Sequence, residues 1–344
     1  CKTSHVKEMT FQETFLLTTI IWLALTFFAS LPFYFSPNNM GFTDSFFEAM
    51  SGLTTTGATI ISNLDDQPPG ILTWRALLEW FGGIGVIILA ITILPVLRIG
   101  GMQLFQSESS DHSEKVLPRM HQISIAIGLI YLSFTILCAI LLYSYGMSGF
   151  DAILHSLTTV SSGGFSPHNE SIGYFNNINI ERVVIIFMII SAIPFPIYIA
   201  MTRKNFKNLL KDQQVLIFLS LLVTTIIVFT FYLQKHLNID FAHAFRISSF
   251  NITSILTTTG YASTDYSLWG SFAIALIFLL SVVGGCTGST TGGIKIFRFQ
   301  ILYHTANFQL SKLLQPHLIS HAKFNGKPIQ ENTSSSVMSF FILF

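Results

Sequence analysis

Two stretches of this sequence group the same hydrogen-bonding side chains. SGLTTTGATI occupies residues 51–60, and ILTTTGYAS follows at 255–263. Each sets three threonines and a glycine beside a run too apolar for a water-facing loop. A third copy emerges when Gly57, Gly164 and Gly260 are aligned without gaps. The three then read DSFFEAMSGLTTTGAT from Asp44, DAILHSLTTVSSGGFS from Asp151 and ISSFNITSILTTTGYA from Ile247. The chemistry on offer is neutral oxygen. A cation stripped of water needs oxygen dipoles in place of its hydration shell, and rings of backbone carbonyls supply them in potassium-selective pores. Glycine lets the main chain approach an ion closely, and hydroxyls add acceptors without fixed charge. The candidate ligands are Thr55, Thr56 and Gly57, then Ser162, Gly163 and Gly164, then Thr258, Thr259 and Gly260. An uncharged ring suits a monovalent cation. Asp or Glu would favour divalent ions, and none lies in these loops. A single Thr-Thr-Gly also reads as a helix C-cap, with the glycine in the left-handed turn. Three copies in matching surroundings favour the ion-binding reading. Ala58, Phe165 and Tyr261 follow the three glycines, so any ring is only approximately symmetric.

The surroundings are membrane elements. The 344 residues are 51% hydrophobic and only 10% charged, with a mean hydropathy of +0.59. Soluble domains carry about 25% charged residues. Runs of roughly 20 apolar residues, enough to cross a bilayer, are centred on 14–33, 72–97, 123–145, 183–201, 215–233 and 267–283. Before each glycine loop comes an amphipathic stretch too short to span, which reads as a re-entrant pore helix. Irregular backbone at membrane depth is tolerated only where protein buries it or it lines a watery cavity. The unit is therefore helix, pore helix, loop, helix. The first covers 1–105 (helix 14–33, pore helix 43–54, loop 55–59, helix 71–97). The second covers 112–207 (helix 121–145, pore helix 150–161, loop 162–166, helix 180–202). The third covers 208–305 (helix 213–234, pore helix 242–256, loop 257–262, broken helix 267–302). Residues 306–344 read as a cytoplasmic linker and the start of a further unit.

Basic residues recur on one side: Lys2, Lys7, Arg98, Lys115, Arg119, Arg203, Lys204, Lys207, Lys211, Lys295, Arg298, Lys312, Lys323 and Lys327. Under the positive-inside rule that side is cytoplasmic. Arg75, Arg182, Lys235 and Arg246 fall elsewhere. The bias has the same sign after every unit, so the repeats are parallel, whereas inverted repeats would alternate. The net charge of +1 argues against a nucleic-acid partner. Cys1, Cys138 and Cys286 lack metal-site or disulfide-framework spacing. No Ser–His, paired-aspartate or zinc constellation suggests an intramembrane enzyme.

GGCTGSTTGG at 284–293 interrupts an apolar helix that resumes at Ile294. Each interior glycine costs a helix up to about 1 kcal/mol, and five of them with Ser and Thr predict an irregular loop inside the membrane. Several polar residues have two readings. Glu48, His155 and Asn251 each lie nine residues before a glycine. They either hydrogen-bond the loop from behind or face a watery vestibule. Arg75 and Glu79 read as interfacial anchors or as a device that attracts cations, Asp65 and Asp66 as solvated loop residues or as charges that concentrate cations at the mouth, and GGIG at 82–85 as a close helix contact. Pro194 and Pro196 predict a kink in the fourth long helix, and SIGYF (171–175) a packing surface.

Taken together, FTDSFFEAMSGLTTTGAT (42–59), EWFGGIGVIILAITILP (79–95), GGMQLFQSE (100–108), GFDAILHSLTTVSSGGFSPHNESIGYF (149–175), ILTTTGYASTDY (255–266) and GGCTGSTTGGIK (284–295) resemble the Trk/Ktr/HKT potassium transporters, most closely the bacterial Trk-type membrane subunit. The resemblance implies an all-α, multi-pass protein of the bacterial inner membrane. Four helix–pore helix–loop–helix repeats would surround one potassium path in pseudo-fourfold fashion, with one filter glycine from each. It implies a homodimer and a cytosolic ring of nucleotide-binding regulatory subunits. It also implies that Gly284, Gly285, Cys286, Thr287, Gly288, Ser289, Thr290, Thr291, Gly292 and Gly293 form a gate beneath the filter. Transport would be passive or ion-coupled, with no organic cofactor. A sodium-permeable or mixed-cation member of the same fold is the alternative. A fourth glycine loop is expected near position 360, past the last residue, so the sequence reads as a truncated chain lacking the fourth repeat, and a non-conducting subunit is a further alternative.

Overall fold

The computed structural model describes residues 11–37, 40–92, 116–202, 212–315, 323–324, 327–329 and 331–343. The stretch GGMQLFQSE, the last residues of the predicted helix 71–97 and most of the basic clusters lie outside them. The described residues form helices and connecting loops, with one hairpin of two-residue strands, β1 (Lys323–Phe324) and β2 (Lys327–Pro328). In chain order the helices are α1 (Phe11–Tyr34), α2 (Phe42–Leu53), α3 (Pro69–Thr92), α4 (Val116–Ser144), α5 (Gly149–Val160), α6 (Ile178–Ala192), α7 (Phe195–Thr202), α8 (Gln213–Leu237), α9 (Phe241–Leu256), α10 (Ser271–Val282), α11 (Ile296–Leu314) and α12 (Glu331–Leu343). Within α1, α3, α4 and α8 lie stretches long and apolar enough to cross a bilayer. Their outward faces carry Leu16, Ile20, Phe28, Ile136, Ile140, Val223 and Phe231, as hydrocarbon solvent permits.

Three times the described chain runs long helix, short helix, loop, helix. The short helices α2, α5 and α9 begin and end within a residue or so of the predicted pore helices. Local chemistry explains two of the starts. Ser148 caps α5 by accepting from the Asp151 amide at 3.1 Å, and Asp240 caps α9 through the Ala242 amide at 3.0 Å.

Two expectations change. The fourth long helix is broken rather than kinked. Ile193 adopts an extended conformation, as a residue before proline prefers, and α7 departs from α6 at 94°. The sixth apolar run yields only the 12-residue α10, preceded by a 3-10 turn at Tyr266–Trp269 and followed by unwound chain. The predicted unwinding at 284–293 is present, and it is ordered. Ile294 donates to the Val282 carbonyl at 2.8 Å and Gly284 to the Ile294 carbonyl at 2.9 Å, pinning the two ends of the excursion together.

Candidate ion-coordinating site

All three short helices end in the same way. Thr55, Ser162 and Thr258 sit in the left-handed region at φ 53°, 57° and 55°. The next amide, from Thr56, Gly163 or Thr259, reaches back five residues to Ser51, Thr158 or Ser254 at 2.9, 3.0 and 2.9 Å. That is a Schellman C-cap, so the cap reading of Thr-Thr-Gly is partly met. The residue in the left-handed turn is the threonine or serine, however, and not the glycine. Threonine is a poor choice there, and such strain marks functional segments. Gly57, Gly164 and Gly260 come two residues later, at φ 75°, 85° and 85°. The negative ends of the three helices point toward these loops.

The loops approach each other in sequence. A Cβ on Gly57 would lie 2.1 Å from the Gly163 carbonyl oxygen, and one on Gly164 would lie 1.8 Å from the Thr259 carbonyl oxygen. Each of these two glycines therefore meets the carbonyl preceding the glycine of the next loop. Gly260 faces open space. The aromatic residue after each of the last two glycines reaches back to the preceding unit. Phe165 lies against Gly52 and beneath the Arg75 guanidinium, 4.0 Å from ring centroid to Cζ. Tyr261 places its hydroxyl on Thr158, on Thr159 (3.3 Å) and on the His155 carbonyl (3.3 Å).

Glu48, His155 and Asn251 are fully buried and bind the chain just past the glycine, which rules out the vestibule reading. Glu48 accepts from the Thr59 hydroxyl at 2.8 Å and the Ile60 amide at 3.1 Å. His155 Nε2 pairs with the Ser166 hydroxyl at 3.1 Å. Asn251 donates to the Ser263 hydroxyl at 3.0 Å and accepts from its amide at 3.2 Å.

Arg75 and Glu79 are not interfacial anchors; they are 1% and 0% exposed. Arg75 pairs with Glu48 at 2.7 Å and donates to the Ser166 carbonyl at 3.1 Å. Glu79 accepts from the Phe165 amide with both oxygens, at 3.2 and 3.1 Å. Their i,i+4 spacing in an otherwise apolar helix was the available signal, since ionisable groups at membrane depth are functional candidates by default. At the outer surface, Asp65 binds His168 Nδ1 at 2.6 Å and accepts from the Asn169 side-chain Nδ2 at 2.8 Å, joining the loop after α2 to the loop after α5. The His168 contact is the main reason the Asp65 carboxyl titrates below its usual range. The expected GGIG contact holds at two glycines: Gly82 packs on the Leu53 carbonyl and Gly83 on Ser161 and Tyr131. SIGYF is a packing element, with Ile172 buried and Gly173 donating to the Ala262 carbonyl at 3.1 Å.

The 284–293 excursion lies against these loops. Residues 284–291 are buried. Gly292 donates to the Thr258 hydroxyl at 2.6 Å, and the Thr290 hydroxyl pairs with that of Ser162. On its other side the excursion fills the break in the fourth long helix. Cys286 donates to the Ala192 carbonyl at 3.0 Å, and Gly288 accepts from the Phe195 amide at 2.9 Å. Thr287 donates to Gln214 at 3.2 Å, the Ser289 hydroxyl binds that of Thr291 at 2.8 Å, and Gly285 donates to Thr291 at 3.1 Å. Lys295 folds back on Thr291, and Gly293 takes φ 64° where the chain turns toward α11. No cluster of three metal-ligating side chains occurs among the described residues.

The model of the cation transport protein family TrkH matches residues 1–344. The chain belongs to the TrkH cation transport family. It is 40% identical over 333 residues to the Trk system potassium uptake protein TrkI of Halomonas elongata, covering 96% of this chain and 68% of that protein. It is 36% identical over 340 residues to Trk system potassium uptake protein TrkH of Escherichia coli K12, covering 97% and 70%. The crystal structure of the potassium transporter TrkH from Vibrio parahaemolyticus superposes with a TM-score of 0.88 at 36% identity, covering 98% of this chain and 70% of that one. Membership makes this TrkH-family chain a transporter rather than an enzyme, and a multi-pass protein of the bacterial inner membrane.

Proposed function

We propose that this chain takes up potassium through a filter formed by Thr55–Gly57, Ser162–Gly164 and Thr258–Gly260, with residues 284–293 as an intramembrane gate. The observation that carries the reading is the pair of close approaches from Gly57 to the Gly163 carbonyl and from Gly164 to the Thr259 carbonyl. The main chains of neighbouring loops pack directly against one another where short-helix dipoles point, which supports their carbonyl oxygens as ligands of a desolvated monovalent cation. The names of the relatives support potassium as the ion. The family resemblance supports a homodimer regulated by a cytosolic ring of nucleotide-binding subunits.

The test is potassium uptake in cells deprived of their own uptake systems. Gly57→Ser should sharply reduce potassium uptake, and the residual flux should show at least severalfold less preference for potassium over sodium, because the new side chain collides with the Gly163 carbonyl. Undiminished preference would remove residue 57 from the filter. The gate has its own test. Deleting Cys286–Thr291 frees Ser162 of its Thr290 partner and takes out buried chain packed against the loops. Ion flux should rise, and unchanged flux would end the gate assignment.

A further inference from the structure

The second glycine loop departs from the other two at one position. In loops one and three the residue before the glycine is a threonine, whose hydroxyl pairs with a threonine two residues earlier (Thr54–Thr56 at 2.7 Å, Thr257–Thr259 at 2.8 Å). Loop two has Gly163 there. The space that a side chain on Gly163 would need is filled. A Cβ would lie 2.2 Å from Cδ and 2.3 Å from Oε2 of Glu79. We propose that Glu79 is a positioning and selectivity-setting residue of the filter, its buried carboxylate replacing behind loop two the threonine side chain that loops one and three supply for themselves. The inference rests on the filter reading above.

Three observations carry it. Glu79 holds the backbone of loop two, because both of its oxygens accept from the Phe165 amide. That amide directly follows Gly164, so the bond orients the peptide next to the filter glycine. Glu79 also lies between two loops, since its Oε1 is 3.8 Å from the position of a Cβ on Gly57. Finally, the carboxylate is confined to one unit. The residues equally far beyond Gly164 and Gly260 are Ile186 and Val282. Arg75, one turn earlier on α3, is engaged by Glu48 and the Ser166 carbonyl. The cluster of Glu48, Arg75 and Glu79 thus holds one guanidinium and two carboxyl groups. A side chain fixed behind the loop, away from water, holds its carbonyls in position toward a cation without touching it. Gly163 is glycine because Glu79 is there, and the two positions form one device.

Two experiments on the full chain decide the point. In the uptake assay, matched for protein in the membrane, Glu79→Gln keeps the size but replaces one of the two oxygens on the Phe165 amide with an NH2 group that cannot accept. The half-saturating potassium concentration should rise on the order of tenfold, with a lower preference over sodium. Wild-type half-saturation and preference would overturn the proposal. The second experiment reads thermal melting of purified protein and does not depend on transport. Gly163→Ala should lower the melting temperature, and adding Glu79→Ala should recover at least half of the loss. Wild-type melting of Gly163→Ala, or a double variant no better than Gly163→Ala, would overturn the proposal. A wild-type chain that takes up no potassium refutes the proposed function, while the melting comparison still decides where Glu79 acts.

Discussion

Replacing Gly164 by alanine is expected to abolish potassium uptake. The methyl group meets two obstacles. At φ 85° an L-residue pays backbone strain of about 1–2 kcal/mol. The Cβ also falls 1.8 Å from the Thr259 carbonyl oxygen, which no real contact allows. One of the two loops must shift by roughly 1 Å, twice the tolerance of about 0.5 Å within which a preorganised site works. A loss on the order of 100-fold is the corresponding scale. Gly57→Ala should behave similarly, its Cβ falling 2.1 Å from the Gly163 carbonyl oxygen. Gly260→Ala is the control within the same molecule. Its φ is also 85°, yet nothing lies within 4 Å of the added Cβ. It bears the strain without the collision and should retain much more activity. Rubidium-tracer uptake, normalised to membrane abundance, measures all three. Equal losses at residues 164 and 260 would show that backbone strain alone, and not the approach of neighbouring loops, makes these glycines necessary.

Arg75→Met should be strongly destabilising. It leaves Glu48, which is 0% exposed, without its counter-charge. Breaking one side of a buried ion pair costs about 3–5 kcal/mol, because the remaining charge stays desolvated. The same change removes the bond to the Ser166 carbonyl and the guanidinium over Phe165. Membrane abundance and melting temperature should both collapse. Adding Glu48→Gln should restore part of the loss, since an amide still accepts from Thr59 and Ile60 without demanding a charge. Arg75→Lys should be intermediate at best, because a single ammonium cannot reproduce the two divergent bonds to Glu48 and Ser166. The contrasting site is Arg246, which binds Glu181 at 2.7 Å with its side chain 26% exposed. Glu181 is itself buried, its side chain 5% exposed, so Arg246→Met should still destabilise the protein, but less than Arg75→Met, because water reaches the guanidinium side of the pair. If the two arginines behaved alike, burial would not be what makes the Arg75 pair important.

Much of this protein was legible from residue types alone. The positions of α1, α4 and α8, the three short helices and the unwound segment at 284–293 follow from local patterns. The physical reason is that a backbone in hydrocarbon must satisfy its own hydrogen bonds within each segment. Runs of apolar residues then become helices wherever they occur, and clustered glycines interrupt them wherever they occur. The roles of Glu48, His155 and Asn251 were half legible. Their common spacing from the glycines is visible in one dimension, but the choice between buried bond and watery face is not. The break at Ile193 was underestimated for a related reason. Pro194 announces a disturbance, while the 94° bend is held by Gly288 and Cys286, nearly a hundred residues away.

Three features belonged to the tertiary structure alone: which residue of each Thr-Thr-Gly takes the left-handed turn, which carbonyl each glycine must clear, and what occupies the space beside Gly163. Arg75 and Glu79 read as surface anchors because charge in a membrane sequence is usually interfacial. They became internal struts only once α3 was packed behind a loop that begins some eighty residues later. Sequence by itself determined the elements and the oxygen-rich loops, because those depend on interactions between near neighbours. The juxtaposition of the loops depends on the shapes of whole packed units, and no local pattern encodes a distance between residues that far apart.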